Sequence, residues 1–266
     1  MTTPPLALSI AGSDPSGGAG IQTDLKTMSA LGCYGMAVIT ALTAQNTREV
    51  TGVHEAPAEF VGRQIEAIYD DITPDAVKTG MLANAAIIEV VADKARKYGF
   101  RNLVVDTVMV AKSGDRLLRE DAVAAMREKL VPLAHVLTPN LPEAEDLLGR
   151  KLESDEAIRE GAQELQAMGA ANVVMKGGHR EGDTVVDVLF DGESFHEFSG
   201  PRVRTTSTHG TGCTFASAIA SYLARGETVV DAVMKARGYL QGALEQAYPV
   251  GGGHGPVNHF WNVWKE

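Results

Sequence analysis

The sequence predicts a doubly wound α/β fold with a mostly parallel sheet and a small late hairpin. Three observations carry this. Short apolar runs such as Leu103-Val104-Val105 and Val173-Val174-Met175 alternate with helical periodicities along most of the chain. Those runs lack the polar alternation of a one-faced sheet, as expected for strands covered on both faces. The rhythm then breaks near residues 184–190 and 194–198, where Asp191-Gly192-Glu193 between them reads as a hairpin turn.

In order, residues 5–11 form an apolar run that ends at Gly12-Ser13-Asp14 and reads as a buried strand. A loop of small residues follows, and Ile21, Leu25, Met28 and Leu31 then recur at helical spacing up to Gly32. Residues 35–42 read as a second strand with Gln45-Asn46-Thr47 as its exit loop, and Pro57 sits near the start of a helix carrying Phe60, Val61, Ile65 and Ile68. Residues 76–79 form a short strand, 85–98 a helix stopped by Gly99, 103–106 a strand ending on an acid, and 121–130 a helix. Residues 136–140 run from a strand into a polar loop, helices follow near 143–148 and 155–168, and 173–176 is a strand before two glycines. Beyond the hairpin, long helices are expected near 211–224 and 228–247, and the tail at 251–255 reads as irregular. No linker interrupts this pattern, so residues 1–266 are read as a single domain.

Composition narrows the function. Apolar residues make up 44% of the 266 and charged residues 22%, an ordinary globular balance. A formal charge of -10 argues against nucleic acid as a partner. The N-terminal segment lacks the basic region of a signal peptide, and no apolar stretch reaches membrane-spanning length, so a cytoplasmic location is expected. Cys33 and Cys213 belong to no CxxC pair, which disfavours a zinc knuckle. Cys33, just past a helix stop, reads as packing.

In open α/β sheets ligands bind outside the carboxyl ends of the strands. Asp14, Gln45, Asp106, Asn140 and Lys176 fall at those ends. The run Thr208-His209-Gly210-Thr211-Gly212-Cys213 precedes an apolar helix. Its glycines let backbone N–H groups of a first helical turn approach an anion. Taken alone, this run is an anion site or a plain helix cap in equal measure. Cys213 beside it is a base, a nucleophile or a small buried hydrophobe. Gly12 to Gly20 also joins a strand to a helix, but has neither the GxGxxG spacing nor a Walker ending. Asp106, Asn140 and Glu143 offer hard oxygen ligands suited to Mg²⁺, or else Asn140 caps a helix and Glu143 is a first-turn acid. Lys176 meets phosphate as a point charge, or faces solvent at its strand end. His209 bonds a substrate, orients its loop or sits at its edge.

Together these residues resemble the phosphomethylpyrimidine kinase family of thiamine biosynthesis, within the ribokinase-like kinases. The resemblance rests on Ile10-Ala11-Gly12-Ser13-Asp14-Pro15-Ser16-Gly17-Gly18-Ala19-Gly20, continuing to Asp24. It continues in Leu42-Thr43-Ala44-Gln45-Asn46-Thr47, Lys78-Thr79-Gly80-Met81, and Val105-Asp106 with residues 108–114. Thr138-Pro139-Asn140-Leu141-Pro142-Glu143, Lys176-Gly177-Gly178-His179 and residues 208–214 complete it. It implies a ribokinase-like fold and two successive ATP-dependent phosphorylations of 4-amino-5-hydroxymethyl-2-methylpyrimidine, giving the pyrophosphate. It further implies that Gly12, Ala19, Gln45, Met81 and Val108 line the pyrimidine pocket, with Gln45 on the ring edge. Gly210, Thr211 and Gly212 would form the anion hole and Cys213 the base. Lys176 would hold ATP phosphates, with His209 nearby. Asp106, Asn140 and Glu143 would stand in the phosphate and Mg²⁺ neighbourhood, binding the metal directly or through water.

Relatives that form dimers point to a homodimer. Two departures from the family pattern stand out: Thr107 replaces a proline, and Ser207 an asparagine. Thr107 restores a backbone N–H and adds a hydroxyl near the expected metal site. For Cys213 to act as base its thiol needs a lowered pKa, which the helix end and nearby positive groups are expected to supply. A pyridoxal kinase and a non-catalytic vitamin sensor on the same fold are the rival readings. The segment 109–119 and the tail at 251–255 are the expected moving parts.

Overall fold

The computed structural model describes residues 3–109, 120–179 and 182–264. The resemblance segment at 110–114 and most of the expected moving segment lie outside them. Among the described residues, nine strands form one sheet in the order β3-β2-β1-β4-β5-β6-β7-β8-β9. They are β1 (Leu6–Ser13), β2 (Tyr34–Gln45), β3 (Val50–Glu55), β4 (Ala76–Thr79), β5 (Leu103–Val105), β6 (Val136–Leu137), β7 (Val173–Met175), β8 (Thr184–Phe190) and β9 (Phe195–Pro201). From β2 through β7 the pairing is parallel. The expected hairpin is present as β8 and β9, antiparallel to each other, with β8 also antiparallel to β7.

One strand differs from expectation. Residues 50–55 are β3, antiparallel to β2, where only an exit loop was expected after Gln45. Its burial alternates between half-buried and exposed, as befits an edge strand without a covered face. The central strands are the opposite case: Ala76–Thr79, Leu103–Val105 and Val173–Met175 are buried throughout.

The helices α1 (Gly20–Ala30), α2 (Ala58–Tyr69), α3 (Ala85–Tyr98), α4 (Glu120–Ala125), α5 (Leu141–Leu148), α6 (Asp155–Ala167), α7 (Thr211–Ala224) and α8 (Val229–Glu245) cover both faces. One face packs Leu8, Ile10, Val77, Leu103, Val105 and Leu137 against Ile65, Ile87, Val91 and Leu165. The other packs Ala76, Val104, Val136, Val174 and Leu189 against Phe215, Ile219, Val233 and Ala236. The helix expected over 121–130 is α4 followed by one π-helical turn, Met126–Leu130, and a 3₁₀ turn, Val131–Leu133, with Pro132 in it. Pro132 has no N–H to continue a helix. The packing reading of Cys33 holds: it is buried against Ala7 and Met28.

The strand order places the cleft. The chain leaves β1 toward β2 on one side, then returns to β4 on the other, so β1 and β4 flank the switch point. Their carboxyl ends carry Gly12-Ser13-Asp14 and Gly80-Met81, where such folds open a crevice. Among the described residues, no helix is long and apolar enough to cross a membrane.

Candidate active site

A cleft of about 580 Å³ opens there, and every candidate residue named from the sequence lines it. Gly12, Ala19, Gln45 and Met81 lie toward β1, β2 and β4, and Val108 follows β5. Asp106, Asn140, Glu143 and Lys176 follow β5, β6 and β7. Gly210, Thr211, Gly212 and Cys213 are the mouth of α7.

Helix α7 begins with Gly210 as N-cap in a left-handed conformation, φ 73°, and no side chain caps the first turn. Glycine is the residue that adopts this backbone without strain, and a Cβ there would also strike the Gly18 carbonyl. The first-turn N–H groups are therefore left to the cleft. Across them stands Lys176. Its ammonium lies 2.9 Å from Asp106 Oδ1 and 3.6 Å from Glu143 Oε2. Burial works against its charge, but Asp106 and Glu143 more than offset this and hold it above the usual lysine range. A Cβ on Gly212 would sit 3.5 Å from that ammonium, so the lysine and the helix mouth face one another in the cleft.

Asn140 and Glu143 form a capping box at α5. The Asn140 side chain accepts from Glu143 N (2.9 Å), and Glu143 Oε2 accepts from Asn140 N (2.8 Å). Glu143 also accepts from Thr107 Oγ1 at 2.9 Å, so the hydroxyl that replaces a proline is hydrogen-bonded within the site. Burial raises the Glu143 carboxyl, with Lys176 opposing. Among the described residues, buried Asp106 Oδ2 has no hydrogen-bond partner, so its acceptor capacity is unused there. Among the described residues, no group of three or more His, Cys, Asp or Glu side chains could by itself hold a metal ion.

Cys213 is half-buried and free. A lowered thiol was expected. Instead burial pushes it up to about 11, against the favourable charge of Lys78 and a hydrogen bond from the Gly20 amide. Removal from water disfavours the thiolate more than Lys78 and the Gly20 amide favour it.

His209 is buried at 6% exposure, with Nε2 2.8 Å from Asp14 Oδ2 and 3.4 Å from the Gln45 side-chain amide. These contacts place it between the Asp14 loop and Gln45. Asp14 gathers the β1–α1 loop, accepting from Ser16 N, Ser16 Oγ and Ala19 N at 2.9–3.0 Å. Burial would raise its carboxyl, yet these bonds and His209 hold it below the usual range.

Two features escaped the sequence. Beneath α7, the fully buried Lys78 is 3.0 Å from both oxygens of Asp24, which also accept from Ser9 and Ser217 at 2.6 Å. Sequence offered only their presence in motif segments, since the partners are 54 positions apart. At the other end of the cleft, Pro201, Val203, Leu240 and Leu244 make an apolar wall with Arg237 and Gln241 beside it. Arg237 Nε lies 3.1 Å from Asp187 Oδ2, and Asp187 Oδ1 accepts from the Gly177 N–H next to Lys176 (2.8 Å).

An uncapped helix mouth facing a lysine and carboxylate cluster, at the switch point of such a sheet, defines a ribokinase-like kinase of small molecules. The comparisons give the particular family. Residues 14–258 match the model of phosphomethylpyrimidine kinase, and the chain belongs to that family. The hydroxymethylpyrimidine/phosphomethylpyrimidine kinase of Bacillus subtilis is 48% identical over 255 residues, covering 96% of this chain and 94% of that protein. A thiamine biosynthesis bifunctional protein of Geobacter sulfurreducens is 53% identical over 252 residues, 95% of this chain. The chain spans about half of that longer protein (51%). Among solved structures, an ADP complex of Bacillus subtilis pyridoxal kinase superposes with a TM-score of 0.90 at 38% identity, covering 97% of this chain and 98% of that one. The phosphomethylpyrimidine kinase of Clostridium difficile gives 0.80 at 43% identity, covering 89% and 97%.

Proposed function

We propose that this kinase transfers the γ-phosphoryl group of ATP to the hydroxymethyl oxygen of 4-amino-5-hydroxymethyl-2-methylpyrimidine. It then transfers a second phosphoryl group to the monophosphate, supplying the pyrophosphate for thiamine biosynthesis. Each step forms one O–P bond and breaks the bond to ADP; the first also releases the hydroxyl proton, whereas in the second the ionised monophosphate attacks with no proton to lose. The observation that carries this reading is the α7 mouth, with Cys213 on one side and Lys176 and Asp106 across it. The family match supports the substrate.

Phosphoryl transfer asks the protein mainly for positioning and charge stabilisation. The N–H groups of Gly210, Thr211 and Gly212 meet the negative charge of the moving group. Lys176 supplies a fixed positive charge beside it. Gln45 grips the ring edge, while Gly12, Ala19, Met81 and Val108 enclose the ring. The apolar wall of Val203, Leu240 and Leu244 suits the flat base of the nucleotide.

Cys213 takes the hydroxyl proton. Because its thiol lies near 11 in the free cleft, forming the thiolate at pH 8 costs about 4 kcal/mol, at ~1.4 per pH unit. That cost already includes the favourable charge of Lys78 and the hydrogen bond from the Gly20 amide.

Mg²⁺ belongs to the same reading. It keeps several waters and takes one or two carboxylates together with phosphate oxygens. The unpartnered Asp106 Oδ2 fits that demand, with Glu143 beside it and Asn140 holding Glu143 in place through the cap. These residues would hold the hydrated ion, which would shield phosphate charge when bound. A single domain, a homodimer and a cytoplasmic location complete the reading, and sedimentation of the purified protein tests the dimer.

The test is an ADP-release assay with the pyrimidine alcohol, its monophosphate and pyridoxal. Turnover of both pyrimidines is expected, and no turnover of either overturns the reading. Cys213→Ala should lower kcat by about 10²-fold or more, with KM for ATP near its unaltered value. Unchanged kcat removes the base role. The likeness to pyridoxal kinase structures at TM-scores of 0.89 and 0.90 favours a second reading, phosphorylation of pyridoxal as a side activity. The same assay measures it.

A further inference from the structure

The Gln45 side chain ends in two groups of the same shape, one oxygen and one NH₂, which their partners tell apart. One end lies 3.1 Å from Thr43 Oγ1 and the other 3.4 Å from His209 Nε2. With oxygen toward Thr43 and nitrogen toward His209, both contacts are poorly served. Thr43 has one hydroxyl proton, and the Ser13 carbonyl lies 3.0 Å away to take it. His209 Nε2 lies 2.8 Å from Asp14 Oδ2. An ionised carboxylate only accepts, so Nε2 must carry a hydrogen. Asp14 is held ionised by its other donors. An NH₂ facing that N–H would set donor against donor.

We propose that the Asp14–His209 pair and Thr43 fix the Gln45 amide with its oxygen toward His209 and its NH₂ toward Thr43, and that this decides which way round the substrate ring binds. His209 is thus a specificity-determining positioning residue acting through Gln45. The proposal rests on the pyrimidine reading above. The substrate's recognition edge has a donor, the 4-amino group, beside an acceptor, the ring nitrogen next to it. The carbon bearing the hydroxymethyl group adjoins the amino side. An amide pairs with this edge through oxygen to amino and NH₂ to ring nitrogen. With its oxygen on the His209 side, the amino group and the neighbouring hydroxymethyl group turn toward the His209-Gly210 loop and the mouth of α7. A reversed amide keeps both bonds only if the ring turns over, which carries the hydroxymethyl group toward Thr43 and away from Cys213.

The built surroundings suit this role. His209 is anchored by its own N–H to the Gly255 carbonyl at 2.9 Å. Its ring packs so closely on Gly18 that a Cβ there would run into it. A ring seated this way cannot rotate to offer its other nitrogen without opening the β1–α1 loop.

The deciding measurement is NMR on the ligand-free full chain. It should show hydrogen on His209 Nε2, and cross-relaxation from the Gln45 NH₂ protons to the Thr43 side chain. Hydrogen on Nδ1 alone, or cross-relaxation from that NH₂ to the His209 ring, overturns the proposal. Kinetics add a second arm, with the pyrimidine alcohol and its analogue lacking the 4-amino group. In His209→Phe the ratio of their kcat/KM values should fall roughly tenfold or more, the scale of one lost hydrogen-bonding preference. Equal losses for both alcohols mean a merely structural role and also overturn it. Failure of the unaltered protein to phosphorylate any pyrimidine alcohol would instead defeat the functional reading, and the two failures are distinguishable.

Discussion

At the scale of single residues, the site sets charge by burial rather than by proximity alone. Cys213 shows this most clearly: desolvation, with Asp24 and Asp106, outweighs the favourable Lys78 charge and Gly20 amide and leaves the thiol near 11. Alkylation of Cys213 by iodoacetamide in the ligand-free protein should therefore be slow at pH 7.5 and still rising above pH 9. A plateau below pH 8 would contradict this. Lys78 is the reverse case. Its desolvation is more than offset by Asp24, with smaller help from Cys213 and Asp106, so it stays charged. Removing one partner of a buried pair leaves the other charge uncompensated, at about 3–5 kcal/mol. Lys78→Met should lose stability on that scale in urea unfolding, and adding Asp24→Asn should recover part of it. Sequence exposed Cys213 through its place after Gly-Thr-Gly. Nothing in the local pattern around Lys78 or Asp24 reveals that a strand and a helix bring them into contact.

At the scale of elements, legibility followed burial. Helix α3, stopped by Gly99, and helix α7 have the ranges expected from the sequence, and the short all-apolar strands were equally plain. Strand β3 was not, because Val50, Gly52 and His54 present no apolar face, and the strand exists by pairing with β2. The wall formed by Val203, Leu240 and Leu244 joins a segment after β9 to helix α8, a contact that only the tertiary fold creates. Helix α5 shows one residue serving two ends. Asn140 caps it reciprocally with Glu143, and the same cap aims Glu143 at Lys176. Asn140→Ala should cost about 1 kcal/mol in stability as a lost cap. Asn140→Ser keeps a capping oxygen and should unfold near the unaltered midpoint. If Asn140 helps hold the hydrated Mg²⁺ as proposed, both variants raise KM for ATP. Full activity in Asn140→Ser would confine the residue to its cap.

At the scale of the whole molecule, helix α7 is held by segments from both early and late in the chain. Gly20, opening α1, sends its amide to Cys213, and Asp24 one turn on binds Ser217 of α7. From the C-terminal side, Gly255 accepts from His209 N, and His259 Nε2 lies 3.3 Å from Thr214 Oγ1, the neighbour of Cys213. Tyr239 of α8 donates to the His259 carbonyl at 2.5 Å and Asn258 N donates to Ala243, so the tail docks on α8 as well. The glycine run at 251–255, expected from sequence to move, thus leads into an anchored segment. His259 is 3% exposed, and burial lowers its imidazole to about 4. The sign follows directly. Between about pH 6.5 and pH 4 the unfolded chain binds a proton at His259 that the folded chain does not, so stability falls as pH drops through that window. A shift from 6.5 to about 4 corresponds to a loss on the order of 3 kcal/mol, at ~1.4 per unit. His259→Gln keeps a polar side chain without the titration. Urea unfolding at pH 7 and pH 4.5 should therefore show a smaller acid loss in His259→Gln than in the unaltered protein. Equal losses would mean that other groups carry the acid sensitivity. Because His259 backs Thr214, hydrogen exchange at the α7 mouth should quicken in the unaltered protein over the same window, before global unfolding begins.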